Sequence, residues 1–83
     1  MLYDDRNIMP IHFSNHAIKQ LEKRGISHKL ISRAVETPEE IISTYRMRKL
    51  RRIHHNGKLL EVVTKTEGPR ISVVTGYYIK EKS

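Results

Sequence analysis

The dipeptide Asn56-Gly57 stands between two β-leaning runs, residues 50–55 and 59–65. A two-residue hairpin turn needs left-handed backbone at both central positions, which Asn and Gly tolerate better than other pairs. The dipeptide therefore predicts an antiparallel hairpin in the second half of the chain, and the rest must be arranged around it. Residues 41–45 form a further β-leaning run before it, and residues 71–79 follow a Gly68-Pro69 turn. In the third run Leu60, Val62 and Thr64 share a face. In the fourth, Ile71, Val73, Thr75, Tyr77 and Ile79 share one face, with Val74 and Tyr78 on the other. Apolar side chains on both faces predict that these two strands are central.

Before Pro38 the period is helical. Ser14 suits a helix N-cap, and Ala17, Ile18 and Leu21 fall in one stripe behind it. Gly25 suits the position just past the helix end. Ser27 suits a second N-cap, followed by Leu30, Ile31, Ala34 and Val35, and Pro38 ends the stripe. Residues 1–10 have no period and include Pro10. They are expected to be a mobile lead-in, with room for a short strand at Ile11–Phe13. The expected fold is α+β, with two N-terminal helices packed on a four-stranded antiparallel sheet, as a single domain over residues 1–83.

Composition narrows the function classes. Only 37% of the 83 residues are apolar, with one Phe and no Trp, so Ile, Leu and Val must build the core. A chain this short buries only about 60–65% of its unfolded surface, which argues against a second domain or a large enclosed cofactor site. No apolar run approaches the roughly 20 residues of a membrane-spanning helix. The first residues lack the apolar stretch of a secretory signal. Cysteine is absent, which excludes a disulfide framework, a thiolate zinc site and a thiol nucleophile. A cytoplasmic location is the expectation.

The charge is unevenly placed. Lys plus Arg number 16 and Asp plus Glu 9, for a net +7. Residues 1–45 hold six of each sign and cancel, so residues 46–83 carry the whole excess. Arg46, Arg48, Lys49, Arg51 and Arg52 crowd together, with His54 and His55 directly behind. Such a strip attracts polyanions, RNA first and an acidic protein partner second. Its plain structural role is an edge strand kept in solution by charge. In an unbroken strand Arg46, Arg48 and Arg52 share a face with Leu50, and Lys49 and Arg51 lie opposite.

Ser14-Asn15-His16-Ala17 opens the first helix and Lys23-Arg24-Gly25-Ile26-Ser27 closes it. Pro38-Glu39-Glu40 follows the second. Gly57-Lys58-Leu59-Leu60-Glu61-Val62-Val63 leads to a last strand reading Ile71-Ser72-Val73-Val74-Thr75-Gly76-Tyr77-Tyr78. In this order and spacing the motifs resemble the family called domain of unknown function 4258, over residues 12–79. That resemblance implies a RelE-like, barnase–EndoU–colicin type of fold. Many members of that wider group are metal-independent ribonucleases, often toxins held by an antitoxin. One departure is Gln20, where family members often carry an Arg.

Metal-free RNA cleavage needs a base for the 2′-hydroxyl, an acid for the leaving oxygen and cations for the charge on phosphorus. His16 is the candidate acid or base, because imidazole titrates near neutral pH. His16, Gln20 and Arg24 form a polar ridge on the first helix. Arg24 can clamp a phosphate, or bond the carbonyls at its own helix end. Thr75 can hold a phosphate oxygen and Tyr77 can stack a base; both also suit an ordinary half-buried sheet face. The expected catalytic residues are thus His16, Arg24, Thr75 and Tyr77. Those expected to bind nucleic acid are Arg46, Arg48, Lys49, Arg51, Arg52 and His54. No metal or other cofactor is expected: His54 and His55 point to opposite faces of a strand, and no helical His-x-x-x-His occurs. The rival expectation is a basic RNA- or protein-binding module without catalysis.

Overall fold

The computed structural model describes residues 10–80. The predicted lead-in lies outside them except for Pro10. The elements run β1 (Ile11–Phe13), α1 (Asn15–Lys23), α2 (His28–Glu36), β2 (Glu40–Ser43), β3 (Arg48–His55), β4 (Lys58–Glu67) and β5 (Arg70–Ile79).

Local chemistry sets the helix ends. The Ser14 hydroxyl accepts from the Ala17 N–H and the Ser27 hydroxyl from the Leu30 N–H, each at 3.1 Å. Each removes one of the unpaired N–H groups that every helix start exposes. At the end of α1, Gly25 is left-handed (φ 67°). Its N–H donates to Glu22, and the Ile26 N–H donates to Leu21. This double closure folds Ile26 back onto the core, where it is buried beside Leu21. At the end of α2 both the N–H and the hydroxyl of Thr37 donate to the Arg33 carbonyl.

The expected four-stranded antiparallel sheet is corrected to a five-stranded mixed one, ordered β1-β5-β4-β3-β2. The added strand is β1, which pairs parallel with β5 through Ile11↔Ile71, His12↔Ser72 and Phe13↔Val73. The helices follow this strand, so they are not the first elements of the fold. The sequence leaves room for this short strand at Ile11–Phe13, and it forms there; its parallel pairing was not expected, because the partner lies some sixty residues away.

The turn at Asn56-Gly57 forms as expected, with φ of 52° and 75°. The β2–β3 connection is different. Arg46 and Met47 are both left-handed (φ 65° and 63°), which takes Arg46 out of any strand. A second correction concerns β5. Val63 pairs with Thr75 but Thr64 pairs with Val73, so Val74 is an extra residue. This bulge reverses the side-chain alternation. Ile71 and Val73 therefore do not share a face with Thr75, Tyr77 and Ile79.

Both helices lie on one side of the sheet, α1 against β5 and α2 against β4 and β3. A Cβ on Gly76 would come within 3.0 Å of Ile31 and 3.2 Å of Leu21, which locates the closest approach of helices to sheet. Ala17, Leu21, Ile31, Ala34, Leu60 and Val62 are completely buried between the layers. Phe13 stacks on the His28 ring at 4.7 Å and ties β1 to the start of α2. The opposite side of the sheet carries neither helix.

Candidate nucleic-acid interface

The registers fix which side chains stand on the helix-free face. Cross-strand partners share a face, so the pairs extend into rows. One row is Glu40–Arg52–Glu61–Tyr77. The next is Ile42–Leu50–Val63–Thr75. A third is Arg48–Lys65–Ser72–His12. The helix-free face thus has a row of linked ions, an apolar row and a basic row.

The linked row is closed on itself. The Glu61 side chain is only 6% exposed. Arg52 donates through Nε at 2.7 Å to Oε1 of Glu61, and its Nη1 reaches Glu40 at 3.3 Å. The Tyr77 hydroxyl donates to the other oxygen of Glu61. Desolvation first, and the carboxylate beside it second, push the Tyr77 phenol up to about 12. The hydrogen bond to Glu61 holds the Arg52 guanidinium in its charged form. Arg52 is therefore committed to two carboxylates.

Arg51 is likewise committed, but on the helix side. It is buried, donating through Nε to the Thr64 hydroxyl at 3.1 Å and through Nη1 to the Val35 carbonyl at 3.0 Å. Burial lowers its pKa without a carboxylate to counter it. Its role is to join α2 to the sheet. His54 pairs with Glu39 at 2.7 Å, and this bond holds the Glu39 carboxyl below its usual range.

Of the predicted strip, Arg46, Arg48 and Lys49 are exposed and make no side-chain hydrogen bond or ion pair among the described residues. The strip is split three ways: Arg51 inward, Arg52 and His54 paired with carboxylates, and the other three at the hairpin tip. Two basic residues of the third row, Lys65 and His12, escaped sequence reasoning because they lie far from the strip in sequence. Strand alternation alone would have put Lys65 with Glu61 and Val63 on one face. Beside that row Ser72 donates to Glu67, and this bond, with Lys65, Arg70 and His12 nearby, lowers the Glu67 pKa and keeps its carboxylate charged.

The predicted catalytic residues fall into separate groups. Arg24 and Thr75 meet: Nη1 of Arg24 donates to the Thr75 hydroxyl at 3.1 Å and to the Gly76 carbonyl at 2.9 Å. Gln20 joins them by accepting from Thr75 at 2.5 Å. This cluster sits where β1 has ended and β5 continues, so it ties α1 to the uncovered stretch of that strand. Tyr77 belongs to the linked row. His16 is exposed on the first turn of α1 and makes no hydrogen bond or ion pair among the described residues. It lies over β5, whereas Arg46, Arg48 and Lys49 lie at the β2–β3 end of the sheet. His16 and the exposed cations of the strip thus stand on different parts of the fold.

Among the described residues no three His, Asp or Glu side chains gather as metal ligands. A shallow depression along α2, lined by Ser27, Leu30, Arg33, Thr37 and His55, is bounded by none of the predicted site residues. No helix among the described residues is long and apolar enough to cross a membrane.

The fold and this face define a small α+β domain with two helices on one side of a mixed sheet and a charged side opposite that carries neither helix. Residues 13–78 match the family model described as domain of unknown function (DUF4258), and the chain belongs to that family. No curated protein and no solved structure matches the chain.

Proposed function

We propose that this domain binds RNA on the helix-free face of its sheet, through the basic row and the hairpin tip that adjoins it. The observation that carries the reading is the row Arg48–Lys65–Ser72–His12, with Arg46 in the turn beside Arg48. Cations on successive strands stand about 5 Å apart, so neighbours can follow a sugar–phosphate backbone. The row offers no paired donor and acceptor pattern for a base edge, so binding is electrostatic and tolerant of sequence. Tyr77 is tied to Glu61, which removes it from the set of free stacking aromatics. Placement in the RelE-like, barnase–EndoU–colicin group, an acidic antitoxin as partner and a cytoplasmic location accompany this reading as proposals.

A second reading, metal-independent RNA cleavage, is favoured by one observation. The cluster of Gln20, Thr75 and Arg24 holds the Arg24 guanidinium against β5 at the end of the helix whose first turn carries the unbonded His16. Two assays test both readings. Filter retention of single-stranded RNA should fall for Arg48→Gln/Lys65→Gln and stay unchanged for Arg52→Gln; equal retention by all three proteins refutes the proposed face. Incubation of RNA in EDTA should give cleavage by wild type and none by His16→Ala if the second reading holds. Intact RNA with wild type refutes it.

A further inference from the structure

The large apolar side chains that stand exposed are Ile41 (48%), Tyr45 (86%) and Met47 (72%). All three belong to β2 or the turn that follows it. β2 is the last strand in the sheet order, and among the described residues no strand covers its outer edge. The Thr44 N–H donates to the Arg48 carbonyl at 2.9 Å, so Thr44 is turned toward β3. Alternation then turns the backbone groups of Ser43 and Ile41 outward. Edge strands are ordinarily blunted by charge or Pro, yet residues 41–45 read Ile-Ile-Ser-Thr-Tyr. Beyond them, Arg46 and Met47 are held in the left-handed region that non-glycine residues disfavour. The tight β2–β3 turn accounts for that conformation, which turns the chain just past Tyr45.

We infer that β2 pairs antiparallel with β2 of a second copy of this chain, about a two-fold axis at Ser43. The inference does not rest on the RNA reading. Partners across a ladder share a face, so a two-fold axis passes through a residue rather than between two. At Ser43 the outward N–H and C=O of each copy exchange both hydrogen bonds. The same axis sets Ile41 against the stretch that leads to Tyr45 of the second copy, and brings Glu40 toward the turn that carries Arg46 of the second copy, each twice by symmetry. The strand is acidic at its start and basic beyond its end, so an antiparallel copy complements it along its length. An extended acidic peptide would instead meet Glu40 with like charge. Because the axis stands perpendicular to the sheet, both helix-free faces lie on the same side of the joined sheet.

Sedimentation equilibrium of the full chain, from micromolar to several hundred micromolar, tests this. A monomer–dimer equilibrium is expected. Ile41→Lys should raise the dimer dissociation constant at least about tenfold. Arg46→Glu should do the same by facing Glu40 with like charge, and Glu40→Arg combined with Arg46→Glu should restore most of the affinity. Circular dichroism verifies folding, and Ser43→Lys replaces Ile41→Lys if that variant unfolds. The inference is overturned by a monomer at every concentration, by a dimer indifferent to Ile41→Lys, or by a charge swap that fails to rescue. A monomer that binds an acidic extended peptide along this edge also overturns it.

Discussion

Arg51 and Arg48 differ by three positions and do opposite work. Arg51 spends its donors on the Thr64 hydroxyl and the Val35 carbonyl inside the fold, while Arg48 projects from the helix-free face. Arg51→Met keeps the bulk but leaves that carbonyl unpaired, so it should lower unfolding free energy by about 1–3 kcal/mol in urea titrations without changing RNA affinity. Arg48→Gln should do the reverse. Tyr77 gives a pH signature. An unfolded tyrosine ionises near 10, whereas the folded phenol is pushed up to about 12 by burial and by Glu61. The folded state thus holds this proton more tightly. The stabilisation it lends is complete below pH 10 and is lost as pH rises toward 12. The stability advantage of wild type over Tyr77→Phe should shrink across that window when both are followed by denaturant unfolding. A constant difference would mean that Tyr77 ionises as in the unfolded chain. The sequence displayed five clustered cations at residues 46–52 but concealed which were already engaged, because their partners Val35, Glu40, Glu61 and Thr64 lie in other elements.

At the scale of elements, what could be read in advance was what neighbours decide. Ser14, Gly25, Ser27 and Asn56-Gly57 announce caps and a turn through their own backbone preferences, and each does so in the structure. The parallel pairing of β1 with β5 and the bulge at Val74 depend on distant strands, and the turn at Arg46-Met47 carries no Asn or Gly to announce it. The bulge had the largest consequence. By reversing the alternation it separates Tyr77 from the core and delivers it to Glu61, and it places Gly76 under the helices. Gly76→Ala should therefore destabilise by about 1 kcal/mol, because Ile31 and Leu21 must both shift to admit the methyl group. Thermal unfolding measures this directly, and an unchanged midpoint would show that the helix layer yields freely. Gly25→Ala should cost a similar amount, about 1 kcal/mol, for a different reason: its φ of 67° closes α1.

At the scale of the molecule, the fold divides its labour between two sides of one sheet. The helix side holds the core and uses Arg51 as a brace. The other side carries one row in which charges cancel and one in which Arg48 and Lys65 outnumber the single neighbouring carboxylate of Glu67. The net +7 is therefore concentrated in function by pairing as much as by position. The sequence pointed to a polyanion partner and to the second half of the chain, and the strand register adds Lys65, beside Arg48, to the cations of the strip. His16, proposed as a catalytic group, remains apart from it, so binding and cleavage make separable predictions. The central claim is that the basic row contacts phosphates, and the salt dependence of RNA binding tests it most directly. Fluorescence anisotropy of a labelled single-stranded RNA across a potassium chloride series gives the slope of log K against log salt. For Arg48→Gln/Lys65→Gln the slope should be shallower than wild type by about 1.4, about 0.7 for each lost phosphate contact. An unchanged slope would contradict the account, because it would mean that neither cation meets the RNA backbone.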